Sequence, residues 1–406
     1  DVTKIIYGED ARSGDDEELG FLYRNRRFYA RGHLTSAVWR DVDPEGEYDG
    51  QVDYQERADD IPFVWADGQL LSPQERELFT APDVRTDYIP LYTIAAPELE
   101  WKEEYGPSPE LNAGTLAEIW EPQNLRKALL PLCNGYENWI QELRANIVEE
   151  KRQLCERLIG ECETVLKRIK LGIDTVCDEK NPDAALAFCF ANKSVDLQSR
   201  WARGGQGMIY RPFQLAYVLM CIESIVHKES EYRDFCDLMW VPTGTGKTEA
   251  YLALAVFTMA YRRRLALGGD GERTGAGVSI ITRYTLRLLT IQQFRRTLSI
   301  ITAADLLRVD NLSARSRVGW RPETWPHDEN FIWGSSQFSV GLWIGGGATP
   351  NHLETKKFWD GLKTSKEPGA IDILSGRDSG QSSYGRAEPA QVVSCPCCSA
   401  QMSITE

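Results

Sequence analysis

The stretch Trp240-Val-Pro-Thr-Gly-Thr-Gly-Lys-Thr-Glu249 constrains the fold more than any other part of this 406-residue chain. An apolar run, Phe235 to Val241, leads into it, and a helix-forming run from Glu249 to Ala260 leads out. That order predicts a buried parallel strand, a tight turn and a helix. Gly244 and Gly246 let the backbone curl so that successive N–H groups face phosphate oxygens, and the helix adds its positive N-terminal end. In this reading Thr243, Gly244, Thr245, Gly246, Lys247, Thr248 and Glu249 bind nucleotide. Lys247 meets the β- and γ-phosphates and the Thr248 hydroxyl ligates Mg²⁺. Lys247 and Thr248 are therefore the catalytic candidates, and ATP and Mg²⁺ the expected cofactors. Val241 stands where the strict pattern has glycine, which favours nucleic-acid motors over small-molecule kinases.

Around this centre the chain divides by charge and periodicity. Residues 1–120 carry 11 basic and 27 acidic side chains, whereas residues 201–320 carry 16 basic and 10 acidic. The overall charge of −14 thus conceals a positive field on the segment that holds the phosphate loop. The expected organisation is an acidic N-terminal region over 1–122, with short strands at Phe28–Ala30 and Ala37–Trp39 and a solvated loop at 41–50. A helical domain follows over 123–205. Residues 206–390 form a first RecA-like α/β motor lobe, and residues 391–406 an insertion with half a zinc knuckle. Three- and four-residue apolar spacing from Trp139 to Ile169 predicts one amphipathic helix of about forty residues. Further helices are expected at 184–201, 212–227, 249–267 and 286–304, with parallel strands at 235–241 and 278–282. Arg262, Arg263 and Arg264 end one helix as cations suited to its dipole.

Other constellations sit at motor-like distances from Lys247. Phe213-Gln214 lies upstream, where a carboxamide pairs with the adenine edge and an aromatic ring packs on the base. Downstream, Arg283, Tyr284, Thr285 and Arg287 collect where a strand's C-terminal end meets a helix start, and Gln292 and Gln293 continue along that helix. This group, with Thr349 after a glycine-rich turn, is the candidate nucleic-acid contact. Cys395 and Cys398 have the spacing of a zinc half-site, with a free-thiol turn as the alternative and the missing ligands expected beyond residue 406. An acidic Mg²⁺ motif after a buried strand is not evident. The candidates Asp15 to Glu18, Asp178-Glu179 and Asp328-Glu329 all lack that setting. No run is long enough for a membrane span, and ten scattered cysteines fit a reduced, cytoplasmic protein. The chain begins at Asp1 rather than Met, which suggests a piece of a longer protein.

Taken together, Ala187-Phe-Cys-Phe-Ala-Asn192, Gln198-Ser-Arg-Trp201, Arg211-Pro-Phe-Gln214, the phosphate loop and Thr282-Arg-Tyr-Thr-Leu-Arg-Leu-Leu-Thr290 resemble one family. It is the large helicase-like subunit of the DISARM bacterial anti-phage defence system, a superfamily 2 member. The resemblance covers about residues 185–355. It implies a DNA-engaging ATPase that works with a companion subunit carrying a domain of unknown function. It also implies a DNA methyltransferase and a phospholipase-D-like protein encoded alongside. By that resemblance Gln214 reads adenine, residues 244–248 hold phosphates and Mg²⁺, and residues 283–287 grip DNA. The sequence-level conclusion is the N-terminal part of an ATP-dependent DNA helicase or translocase, inactive on its own. The alternative is a nucleotide-gated DNA-sensing module without translocation, in which the acidic N-terminal region covers the basic face.

Overall fold

In the computed structural model, described residues are 36–39, 84–87 and 99–402. Interruptions fall at 243, 268–274, 276, 285–286, 311–317, 327–328, 345–348, 360–363, 378–380, 383–384, 387–388, 391 and 393. The expectations for Thr243, Thr285, Asp328, the 41–50 loop, Phe28–Ala30 and Asp15 to Glu18 fall outside the described residues. The chain divides into two units, Asp1–Pro97 and Glu98–Glu406. In the first, β1 (Ser36–Trp39) pairs antiparallel with β2 (Val84–Asp87), Ala37 opposite Thr86.

The second unit is a stack of helices. It contains α1 (Ala113–Glu118), α2 (Pro122–Ala145), α3 (Arg152–Val176) and α4 (Pro182–Ala202). Then come α5 (Pro212–Val226), α6 (Lys247–Leu267) and α7 (Arg287–Arg308). The antiparallel hairpin β3 (Lys356–Trp359) and β4 (Thr364–Glu367) follows, then α8 (Ala370–Leu374) and the short pair β5 (Gln381–Ser382) and β6 (Gly385–Arg386).

The expected RecA-like parallel sheet is corrected here. Among the described residues the only sheets are three two-stranded antiparallel ones, and none includes 235–241 or 278–282. Both segments are locally non-helical, as apolar runs entering tight turns should be. A strand, however, exists only through its neighbours, and a parallel one needs partners along its edges and helices on its faces. Without them the side chains stand in solvent: Leu238 is 83% exposed, Trp240 71%, and Val278 and Ile281 77% each.

The forty-residue helix is also two helices. Asn146 caps α2, its side-chain amide donating to the Glu142 carbonyl at 2.9 Å, and Val148 is extended before a single 3-10 turn at Glu149–Lys151. The chain then reverses. Ion pairs Arg126–Asp174, Lys170–Glu137 and Arg144–Glu163 connect progressively nearer positions, the signature of an antiparallel helical hairpin.

The core is built on α4, whose residues 184–192 are all buried because it packs against α1, α3, α6 and α7. Phe190 meets Trp333 at 4.0 Å between ring centroids, and Trp333 donates its indole N–H to the Trp320 carbonyl at 2.7 Å. The hairpin helix α3 packs on α5 through Gly172. A Cβ there would fall inside the Leu219 carbonyl, so hydrogen alone permits this approach. The three arginines ending α6 do more than balance a dipole. Arg264 pairs with Asp183 and Glu329, Arg263 lies over Phe338, and Arg262 donates to the Val278 carbonyl at 2.9 Å.

Candidate phosphate-binding turn and its surroundings

The turn at 244–247 owes its shape to two glycines at positive φ, +83° for Gly244 and +92° for Gly246, a region costly for other L-residues. α6 starts at Lys247, so the first N–H groups of α6 lack intrahelical acceptors and face the turn. Thr245 is buried, and its hydroxyl closes the turn by donating to the Pro242 carbonyl at 2.8 Å. The Lys247 ammonium is folded back, donating to the carbonyls of Val241 at 2.6 Å and Pro242 at 3.0 Å. Those two oxygens occupy the ammonium as an anion's oxygens would.

The N-terminus of α5 braces the turn. Pro212 occupies the first helical position after an extended Arg211, the geometry its ring prefers. Gln214 is buried. Its carbonyl oxygen accepts from the Arg211 N–H at 2.7 Å, and its amide nitrogen donates to the Gly246 carbonyl at 2.6 Å. Arg211 donates to the Thr245 carbonyl at 2.6 Å. Gln214, expected to read adenine, is thus engaged with the turn itself, and a Cβ on Gly246 would lie 2.5 Å from its amide nitrogen. Phe213 is half-buried beside it.

On the other side, Thr248 donates its hydroxyl to Gln293 at 3.4 Å, and Glu249 pairs with Arg296. The second carboxylate oxygen of Glu249 is buried without a partner. Gln293, expected to contact nucleic acid, therefore turns its amide oxygen toward α6. Arg283 is exposed and Tyr284 half-exposed, while Arg287 opens α7. The Tyr284 hydroxyl is held above its ordinary pKa by burial, against the opposing charge of Arg296. Tyr217 and Tyr251, which sequence reasoning missed, meet edge-on at 5.6 Å beside the turn.

Beneath the segment leading to the turn lies a buried ion pair. Arg168 grips Asp237 with two bonds of 2.5 and 2.8 Å, and Tyr232 and Phe235 flank the guanidinium. Burial first, then the Asp237 charge, pushes the neighbouring Cys221 thiol up to about 12.

Thr349 is half-buried, distant in sequence from the turn and in no described contact with it. Among the acidic candidates, Asp178-Glu179 sits in the turn between α3 and α4, and Glu329 pairs with Arg264. Cys395 to Cys398 form a tight turn closed by the bridge Ser394–Gln401 and by Cys395 N–H donating to the Ala400 carbonyl at 2.8 Å. Backbone N–H groups of Cys398 and Cys397 hold the Cys395 thiol below its ordinary pKa. Among the described residues no three His, Cys, Asp or Glu side chains converge as a metal site. The fit to zinc is therefore half a site, two thiols on a turn. The orphaned Glu249 oxygen and the Thr248 hydroxyl, by contrast, are oxygen donors suited to a hydrated Mg²⁺. No described helix is long and apolar enough to cross a membrane.

No family model matches the chain. It is 29% identical over 411 residues to DISARM protein DrmA of Bacillus paralicheniformis (strain ATCC 9945a / NCIMB 11709 / CD-2), an alignment covering 96% of this chain. The two proteins are homologous. The chain spans 30% of the length of that relative. The similarity runs through nearly the whole chain, including the acidic N-terminal region where the motifs are weakest.

Proposed function

We propose that this chain is the nucleotide-binding portion of an ATP-dependent DNA translocase or helicase subunit of an anti-phage defence complex. The carrying observation is the turn at the start of α6. Two glycines at positive φ, Lys247, Thr248 and free helix N-terminal N–H groups stand together there, a preformed place for phosphate. Lys247 releases its two carbonyls for the nucleotide phosphates, and Gln214 exchanges the Gly246 carbonyl for the adenine edge. Mg²⁺ would be held by Thr248, with Glu249 accepting from its water shell, and would neutralise charge on the transferred phosphoryl group. Arg283, Tyr284, Thr285 and Arg287 bind DNA backbone, as does Thr349. The homology supports the defence setting, with a companion subunit and an associated DNA methyltransferase as partners and the cytoplasm as location. In the complete polypeptide, Lys247→Ala abolishes DNA-stimulated ATP hydrolysis while leaving the circular dichroism spectrum intact. Wild-type turnover by that variant would refute the assignment.

A second reading, nucleotide-gated DNA binding without translocation, is favoured by the self-satisfied turn, in which Lys247, Arg211 and Gln214 already have partners. Strand displacement in a helicase assay separates the two: binding that responds to ATP with no movement along DNA supports the second.

A further inference from the structure

Two contacts tie the first turn of α6 to the middle of α7. Thr248 Oγ1 donates to Gln293 Oε1, and Arg296 pairs with Glu249. Gln293 and Arg296 are three residues apart and so share one face of α7. Each contact leaves something free on the α6 side. A threonine hydroxyl has one proton and two lone pairs; giving the proton to Gln293 aims the lone pairs elsewhere, open to a cation. Glu249 spends one oxygen on Arg296 and keeps the other buried and unpartnered, 3.2 Å from where a Cβ on Gly246 would stand. Arg296 also acts electrostatically on Tyr284, at the end of the exposed segment that enters α7. Its pairing with Glu249 ties a carboxylate of the phosphate turn to α7, the helix that Arg287 opens.

We propose that Gln293 and Arg296 are positioning residues that couple occupancy of the phosphate turn to the placement of α7, and through it to DNA binding by residues 283–287. The proposal rests on the nucleotide and DNA reading above. A cation on Thr248 polarises the hydroxyl and strengthens its donation to Gln293. Phosphate charge beside Gly246 raises the demand of the Glu249 carboxylate for Arg296. Both effects draw α7 toward α6, and by linkage DNA at the start of α7 tightens nucleotide binding by the same factor. Arg296 is 41% exposed but Glu249 only 18%, so removing the arginine leaves a mostly buried carboxylate without its cation, and the circular dichroism spectrum of Arg296→Ala is compared with wild type before the coupling is read.

The test measures duplex DNA affinity of the complete polypeptide by fluorescence anisotropy, with and without Mg²⁺ and a non-hydrolysable ATP analogue. In the wild type the analogue changes DNA affinity by roughly 5- to 150-fold, the usual range of such couplings. Arg296→Ala, measured at saturating analogue so that a weaker analogue affinity does not enter, brings that ratio to within about twofold of one. Arg296→Lys, which still pairs with Glu249, restores the ratio, a rescue that loss of packing would not give. A wild-type ratio in Arg296→Ala overturns the proposal, and so does a wild type that binds both ligands without coupling. A wild type that binds no analogue removes the functional reading, and this coupling with it, a result recognisable because Lys247→Ala then changes nothing.

Discussion

Gly172 and Gly160 lie on the same helix, α3, yet alanine should act on them with opposite sign. At Gly172 a methyl group enters the carbonyl of Leu219, and the obstacle is the backbone of α5 rather than a flexible side-chain end. The helices must separate along a seam formed by Ile169, Ile173, Leu215, Leu219 and Ile222, all buried. Overpacking of this kind costs typically 1–3 kcal/mol, and a rigid obstacle places it at about 3. Alanine's higher helix propensity returns about 1 kcal/mol, leaving Gly172→Ala destabilised by about 2 kcal/mol. At Gly160 nothing lies within 4 Å of the added Cβ, so only the propensity term acts and Gly160→Ala gains up to about 1 kcal/mol. Urea unfolding of residues 1–406, followed by helical circular dichroism, compares the two midpoints. A Gly172→Ala midpoint at or above wild type would refute the packing of α3 on α5. Because Arg211, which caps α5, holds the Thr245 carbonyl of the turn, the same variant should also weaken nucleotide binding, measured by fluorescence of a labelled analogue.

Three further predictions concern the cysteines. Burial holds Cys133 and Cys177 at about 11 and Cys221 at about 12. At pH 8 a thiol reagent should therefore modify exposed Cys236 and Cys398, and Cys395 with its lowered pKa, first, and the three buried thiols only on unfolding. Each folded-state value lies above the ordinary thiol value, so the neutral form is the one the fold keeps. Stability from these groups is complete below the unfolded value near 9 and declines as pH rises from there through 11 to 12; an unchanged urea midpoint between pH 8 and 10.5 would contradict this. If the 395–398 turn supplies half a zinc site, the complete polypeptide carries zinc by elemental analysis and the paired Cys395→Ser, Cys398→Ser variant loses it. Equal zinc content in both would leave the turn as free thiols.

Local signals were readable in the chain, and non-local ones were not. The helices expected at 184–201, 212–227, 249–267 and 286–304 correspond to α4, α5, α6 and α7 to within a few residues, because uninterrupted runs of helix-forming residues are a local signal. The reversal at Asn146 was invisible to that argument. Ile147 keeps the apolar stripe in step across the break, and neither Pro nor Gly marks it. The two apolar runs expected as strands show the opposite failure: their extended backbone is local, but pairing depends on partners that no local pattern supplies. At the 244–247 turn the two glycines were legible because positive φ demands them. Arg211 was named only as the start of the Arg211–Gln214 stretch, and Arg296 was missed, although it stands three residues from Gln293, the spacing that places helical neighbours together.

The turn's internal bonds bear directly on how a nucleotide could enter. Lys247, Gln214 and Arg211 all donate to carbonyls of residues 241–246. The Lys247 bonds are charge-assisted with either acceptor, but phosphate oxygens carry full negative charge where carbonyls carry only partial charge, which adds Coulomb attraction. Lys247 therefore gains by the exchange. Gln214 does not, since an adenine edge offers neutral partners like the carbonyl it leaves. The phosphates should thus determine affinity and the base should contribute mainly discrimination. Gln214→Ala would then leave affinity for inorganic triphosphate nearly unchanged while narrowing the preference for ATP over GTP. Gly246 constrains this exchange as well, because any side chain there strikes the Gln214 amide nitrogen. The glycine that shapes the phosphate cradle also keeps the carboxamide within reach of it. For that reason one variant, Gly246→Ala, should impair phosphate binding and base preference together, whereas Gln214→Ala separates them.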